Sequence, residues 1–262
     1  MPREPLLIAV GLLGLAVGSF LNVVIHRVPR DESLVRPSSH CPHCGAPVRA
    51  RHNVPVLGWL LLRGRCADCR APISVRYPVV EAGTAALFVA VATRFGYTAE
   101  LPAYLYLAAV AVALAAIDLD VQRLPSRIVQ PSYGIAVLLL LPAAVAGPGW
   151  GAAVRGLAAA ALLFALYWIL WKVPKGMGRG DVMLAPLLGL YLGWLGWSSV
   201  AVGAFAGFLL GGLVGTALLV GRLATRRSRI AFGPYMLAGT FLAVFAATPI
   251  ASWYGSLLLP PS

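Results

Sequence analysis

Acidic residues are scarce in this chain: nine Asp and Glu among 262 residues, against 21 Lys and Arg. Charged residues of both signs make up only 11%. A soluble domain carries about one quarter. That shortage excludes an ordinary soluble enzyme. Cysteine is equally sparse, with four in all, and every one falls within residues 41–69. A disulfide scaffold distributed through the chain is therefore excluded. No tandem repeat of the whole unit is visible either. What remains is abundant apolar sequence, 60% of residues, with a mean hydropathy of +0.82.

The apolar residues lie in continuous runs of about 20, the length an α-helix needs to cross a bilayer. Continuous runs rather than alternation specify helices and not a barrel. The expected fold is all-α and polytopic, with about eight transmembrane helices near residues 5–26, 79–96, 101–117, 128–147, 151–171, 182–197, 199–221 and 233–256. The first run resembles a signal peptide in length, but Arg27 and Arg30 follow it, the wrong flank for cleavage. It reads as a retained span with its N-terminus outside, in the periplasm.

The net charge of +12 invites a nucleic-acid partner, but its distribution argues otherwise. Of the 21 basic residues, 18 fall in loops 27–78, 118–127, 172–181 and 222–232, which share one side. Only Arg3, Arg94 and Arg155 fall on the other. Positive loops stay in the cytoplasm. The charge is thus a topology signal and a contact with anionic lipid, with no nucleic acid implied. The expected organisation is a first helix at 1–26, a cytoplasmic insert at 27–78 and a multi-span domain at 79–262.

The insert carries Cys41-Pro-His-Cys44 and Cys66-Ala-Asp-Cys69. Two CxxC pairs at this spacing read as a zinc site, each knuckle offering two thiolates to one tetrahedral ion. Four sulfurs leave no open position, so the metal is structural. His43 and His52 are nearby but superfluous as ligands. Iron–sulfur ligation and free or redox-active thiols are the alternatives.

Three of the nine acids stand at two boundaries between apolar and polar sequence. Asp118 and Asp120 lie in IDLDVQRLPS, and Asp181 ends GMGRGD. An ionisable group at a membrane boundary is costly and marks a functional site by default. The plain alternatives are solvated helix-end carboxylates for the first pair and a helix cap for Asp181. Residue types alone leave capping and catalysis both open for Asp181. Asp118 follows the apolar run directly and is the stronger candidate over Asp120. A phosphate-cradling reading of the glycines is weak, because no Lys-Ser/Thr follows. Glu81, just inside the second span, is a further acid, with Arg76 as its plain partner. Asn22, His26 and Arg27 read as packing or interfacial groups. Alternation places Asp118 and Asp181 at the same membrane depth, joined by an out-and-back pair of spans.

Taken in order, GSFLNVVIHRVP, the paired CxxC knuckles, NVPVLGWLLLRGRC, ISVRYPVVE, IDLD…LP, GRGD and AFGPYMLAG resemble the bacterial prepilin peptidases (type IV leader peptidases), over Gly18 to Gly239. Ser126 stands where many members have Asp or Asn. The resemblance implies an inner-membrane aspartic peptidase with a Gly-x-Gly-Asp motif like that of presenilin-type enzymes. It implies Asp118 and Asp181 as the catalytic dyad, and prepilin or pseudopilin precursors of pilus and secretion systems as substrates. It also implies N-methylation with S-adenosylmethionine, as in members that keep the cysteine region. No glycine-rich motif of soluble methyltransferases is visible, so the residues binding that donor are unassigned. A transporter or channel, or a metal-sensing assembly protein, are the competing classes. The first calls for carboxylates near mid-bilayer, and the second leaves the Gly-Asp motif unexplained.

Overall fold

A computed structural model describes residues 3–147, 149–173, 177–223 and 231–258. Nine α-helices form among them: α1 (Glu4–Arg27), α2 (Leu57–Leu61), α3 (Arg76–Phe95), α4 (Leu101–Val121), α5 (Ser126–Ala146), α6 (Trp150–Lys172), α7 (Arg179–Leu195), α8 (Trp197–Val220) and α9 (Gly233–Leu258). No strand forms among the described residues, only two isolated β-bridges. All eight expected spans correspond to a long helix. Seven are long and apolar enough to cross a membrane. The eighth, α7, has 17 residues, about 25 Å at 1.5 Å per residue.

Two boundaries move in ways that matter. The fourth helix runs on to Val121, so Asp118 lies one turn inside it rather than beyond its end. The seventh starts at Arg179, so Asp181 sits in its first turn.

The chain forms two compact units, Met1–Ala113 and Leu114–Ser262. In the first, α1 and α3 pack antiparallel. A Cβ on Gly14 would lie 2.6 Å from Ala85 Cα, and one on Gly18 would lie 2.7 Å from Glu81 Cα. One turn further, Asn22 Nδ2 donates to the Tyr77 carbonyl at 3.1 Å. Each step of four forward on α1 is thus a step of four back on α3. Apolar burial does not drive helices together in lipid. Small residues that allow backbone contact do so instead, and Gly14-x-x-x-Gly18 is that device here.

The second unit repeats it. Gly189 and Gly193 of α7 press on α6, where a Cβ would stand 2.6 Å from the Ala159 carbonyl oxygen and 2.5 Å from Ala159 Cβ, respectively. Gly203 and Gly207 of α8 face α9, and a Cβ on Gly239 would lie 2.5 Å from the Gly207 nitrogen. Residues around the whole circumference of α7 are buried, from Asp181 to Trp194. A helix that is apolar all round belongs inside a bundle, and α7 is the centre of this one. Arg155 of α6 closes its far end, donating from Nε to the Gly193 carbonyl at 2.7 Å and from Nη2 to that of Trp194 at 2.8 Å. Those carbonyls belong to the last turn, which has no partners within the helix.

Candidate active site and cysteine cluster

The final turn of α4, the start of α7 and the start of α9 converge at one end of the second unit. Asp118 is buried there, and Asp181 is buried too. Asp120, two residues on, is exposed. The helical period turns it away from the packed face that Asp118 shares with Ile117 and Leu114.

Each buried carboxylate accepts one backbone N–H. Asp118 Oδ2 takes that of Gly233 at 3.0 Å. Gly233 is the first residue of α9, whose leading N–H groups have no partners within the helix. Asp181 Oδ2 takes the Gly178 N–H at 3.0 Å, and the Asp181 N–H returns to the Gly178 carbonyl at 3.1 Å. The Asp181 carboxylate thus supplies the N3 half of a capping box, while Gly178, which has no side chain, closes the turn with its carbonyl. Asp181 therefore does cap its helix, and it does so with one oxygen, which leaves the other for chemistry. Gly176 of the glycine motif lies outside the described residues.

Leu124 links the two acids. A Cβ on Gly180 would stand 3.0 Å from Leu124 Cβ, and one on Gly233 would stand 3.2 Å from Leu124 Cδ2. Gly180, the residue before Asp181, and Gly233, the anchor of Asp118, are thus held against the same leucine. The two carboxylates lie within reach of each other's charge, and the Tyr167 side chain of α6 lies within reach of Asp181. Tyr133 donates its hydroxyl to the Met183 carbonyl, pinning α5 to the first turns of α7. A row of rings borders the site: Tyr167 to Phe208 at 5.5 Å, Phe208 to Phe232 at 5.4 Å and Phe232 to Tyr235 at 6.4 Å between centroids. The sequence reading did not single out these rings or the Gly233 amide. The AFGPY segment holds two of the rings and that glycine, and a Gly-Pro pair opening an apolar run was the available signal.

Glu81 does not belong to this group. It lies in the first unit, where its Oε2 accepts the Val56 N–H at 2.7 Å.

The four cysteines meet in the first unit. Their sulfurs all lie within 4.8 Å of one another, and Cys41 Sγ is 3.8 Å from Cys69 Sγ. A tetrahedral ion with Zn–S bonds of about 2.3 Å sets its sulfurs about 3.8 Å apart, so the cluster fits one metal ion. His43 and His52 are not members of it. The knuckles are built alike. The Cys41 N–H donates to Ala46 and the Cys66 N–H to Ala71, at 2.9 and 2.8 Å. Bridges pair His40 with Pro47 and Arg65 with Pro72. An ion pair between Arg49 and Asp68 at 2.7 Å ties one knuckle to the other. The backbone N–H groups of Cys44 and His43, which aim at Cys41, lower its pKa to about 6. At Cys44 the Ala46 amide pulls the pKa down, but the Cys69 sulfur, desolvation and the other sulfurs push it up to about 12. Negative charge is thus favoured on Cys41 over Cys44.

Comparison with known proteins covers both units. Residues 12–95 match the bacterial peptidase A24 N-terminal domain, and residues 105–220 match the type IV leader peptidase family. The chain is 38% identical to a prepilin leader peptidase/N-methyltransferase of Aeromonas hydrophila, over 93% of this chain and 91% of that protein. It is 43% identical to the protein of that name in Myxococcus xanthus, over 83% and 63% of the two chains. With that of Pseudomonas aeruginosa it shares 34% identity over 93% and 91%. No solved structure matches it significantly.

Proposed function

Because the chain belongs to the type IV leader peptidase family, we propose that it removes the short basic leader of type IV prepilin-like precursors and N-methylates the residue so exposed. It is a multi-pass protein of the inner membrane and a prepilin peptidase with N-methyltransferase activity. Asp118 and Asp181 are the catalytic pair. The observation that carries this reading is two buried carboxylates, 63 residues apart, gathered about Leu124 with one backbone amide holding each.

Two carboxylates within reach of each other share one proton. The ionised member takes a proton from water, which attacks the scissile carbonyl, while the protonated member donates to the carbonyl oxygen. The tetrahedral species collapses as the leaving amine takes up a proton, and no covalent enzyme intermediate forms. The basic loops support a cytoplasmic orientation for this end of the bundle. There a precursor whose leader stays in the cytoplasm and whose apolar helix lies in the bilayer presents its scissile bond.

S-adenosylmethionine is the methyl donor for the second step. Cys41, Cys44, Cys66 and Cys69 hold a structural zinc ion that staples the segment 27–78 between the first helix, 1–26, and the membrane domain, 79–262. With four sulfurs on the ion, the metal supplies no open position for catalysis.

Purified protein, a prepilin and labelled methyl donor, analysed by mass spectrometry, test the whole reading. Asp118→Asn and Asp181→Asn should each lower cleavage on the order of 10³-fold or more, while Asp120→Asn cleaves normally. Wild-type rates in both dyad variants would end the assignment.

A further inference from the structure

Helix α2 presents its leucines outward. Its sequence is Leu-Gly-Trp-Leu-Leu over 57–61. Gly58 is pressed so closely on the insert that a Cβ would stand 2.1 Å from the His52 carbonyl oxygen. Trp59 donates from Nε1 to the Ile73 carbonyl at 3.0 Å, and its ring covers Gly64. That face is occupied. The other face carries Leu57, Leu60 and Leu61, spaced i, i+3, i+4, with exposures of 57%, 55% and 75%. Such a stripe is ordinarily the buried side of a helix. These values match those of Ile8 and Leu12 on α1, at 64% and 62%, a span whose outer face meets lipid.

The depth of α2 follows from its tether. Val56, immediately before the helix, is bonded through its N–H to Glu81. Glu81 lies five residues inside α3, about 7 Å from its end. The bond between Asn22 and Tyr77 sets the end of α1 level with the start of α3. The leucine stripe is thereby held alongside the terminal turns of two spanning helices, where hydrocarbon gives way to headgroups. Arg51 and Arg63 flank α2 and are exposed, and residues 27–78 carry nine arginines against three carboxylates.

We infer that α2 is an interfacial anchor: Leu57, Leu60 and Leu61 sit in the outer acyl region of the bilayer, and Arg51 and Arg63 sit among anionic lipid headgroups. Short apolar stripes rimmed by arginine bind the plane of a membrane in this way. The partner is the lipid surface itself. A substrate helix or a second copy of the chain on the same stripe are the outcomes that oppose it.

The test places a photoreactive benzoylphenylalanine at Leu57, Leu60 or Leu61, or at Val48 on the cysteine knuckle, in the full chain. Each variant is reconstituted in phosphatidylethanolamine vesicles with or without phosphatidylglycerol, irradiated without substrate, and analysed by mass spectrometry. The expected result is lipid adducts at the three leucine positions, several-fold more than at Val48, and higher yields with the anionic lipid. Adducts to a second copy, or yields equal to those at Val48, would overturn the anchor. Yields indifferent to phosphatidylglycerol would overturn the headgroup contact. A check without substitution is amide hydrogen exchange of wild-type protein over 54–63. It should slow several-fold in anionic relative to zwitterionic nanodiscs, and equal rates would count against the proposal. A second arm adds prepilin. Crosslinks that pass from lipid to prepilin would make the stripe a substrate surface instead.

Discussion

The carboxylate of Asp118 and the backbone nitrogen of Gly233 are 115 residues apart in sequence and 3.0 Å apart in space. The bond fixes the carboxylate against the start of α9 and leaves no room for a side chain at 233. A Cβ there would stand 2.8 Å from Asp118 Oδ2 and 3.2 Å from Leu124. Gly233→Ala should therefore swing the Asp118 carboxylate off its anchor. Mispositioning of a catalytic group by about 1 Å costs on the order of 10²-fold. Cleavage should fall by that factor with KM for prepilin nearly unchanged. Methylation of an already cleaved pilin should persist, which separates this effect from unfolding. Normal cleavage by the variant would show that the amide does not position the acid.

How far the site could be read from sequence depended on the kind of signal. Asp118, Asp181 and the four cysteines stood out because each is chemically costly or unusual where it lies. The same sparseness of charge made the helices legible. The Gly233 anchor was not legible, because a backbone N–H carries no side-chain signature and its partner is 115 residues away. Helix ends were misplaced by a few residues at α4 and α7. The apolar run stops at the acid, whereas the hydrogen-bond ladder goes on to Val121 or begins at Arg179. The glycine contacts between helices stand in the sequence as Gly-x-x-x-Gly at 14/18, 189/193 and 203/207, but spacing alone does not say which helix each pair faces.

The α6–α7 contact rests on those glycines. At Gly193 a Cβ would meet Ala159 Cβ at 2.5 Å, the Arg155 carbonyl at 2.8 Å and Gly156 Cα at 2.9 Å. Two of these are main-chain atoms that no rotamer change can move. Gly193→Ala should cost about 1–3 kcal/mol by overpacking and lower the thermal midpoint of the protein in detergent. Gly151→Ala on α6, whose Cβ would meet nothing within 4 Å, should leave the midpoint in place. Equal midpoints for the two variants would contradict close packing at 193.

Metal affinity should rise with pH. Zinc takes thiolates, and binding expels the protons that remain. With the Cys41 pKa lowered to about 6 and that of Cys44 raised to about 12, the metal-free cluster at pH 7 has Cys41 largely ionised and Cys44 protonated. Acidification through pH 6 reprotonates Cys41 and adds a further proton that the metal must displace, so affinity should drop more steeply there than between pH 7 and 8. Chelator competition on the whole protein across this range measures it. An affinity that stays flat below pH 7 would refute the thiolate assignment.

The two knuckles share one backbone turn but differ at the residue that follows the second cysteine. Both turn through a left-handed position after the second cysteine: Gly45 at φ +71° in the first and Arg70 at φ +62° in the second. Glycine adopts that region freely, whereas a residue with a Cβ pays about 1–2 kcal/mol. The second knuckle therefore holds its shape against a local cost that the first does not carry. Arg70→Gly should relieve it, slowing chelator-driven metal release several-fold. Gly45→Ala should import the same cost into the first knuckle, where no atom lies within 4 Å of the added Cβ, so backbone strain alone is measured. Release should then quicken by roughly 10-fold for about 1.4 kcal/mol. If Arg70→Gly loses metal faster than wild type, the arginine side chain stabilises the turn by more than its backbone strain costs.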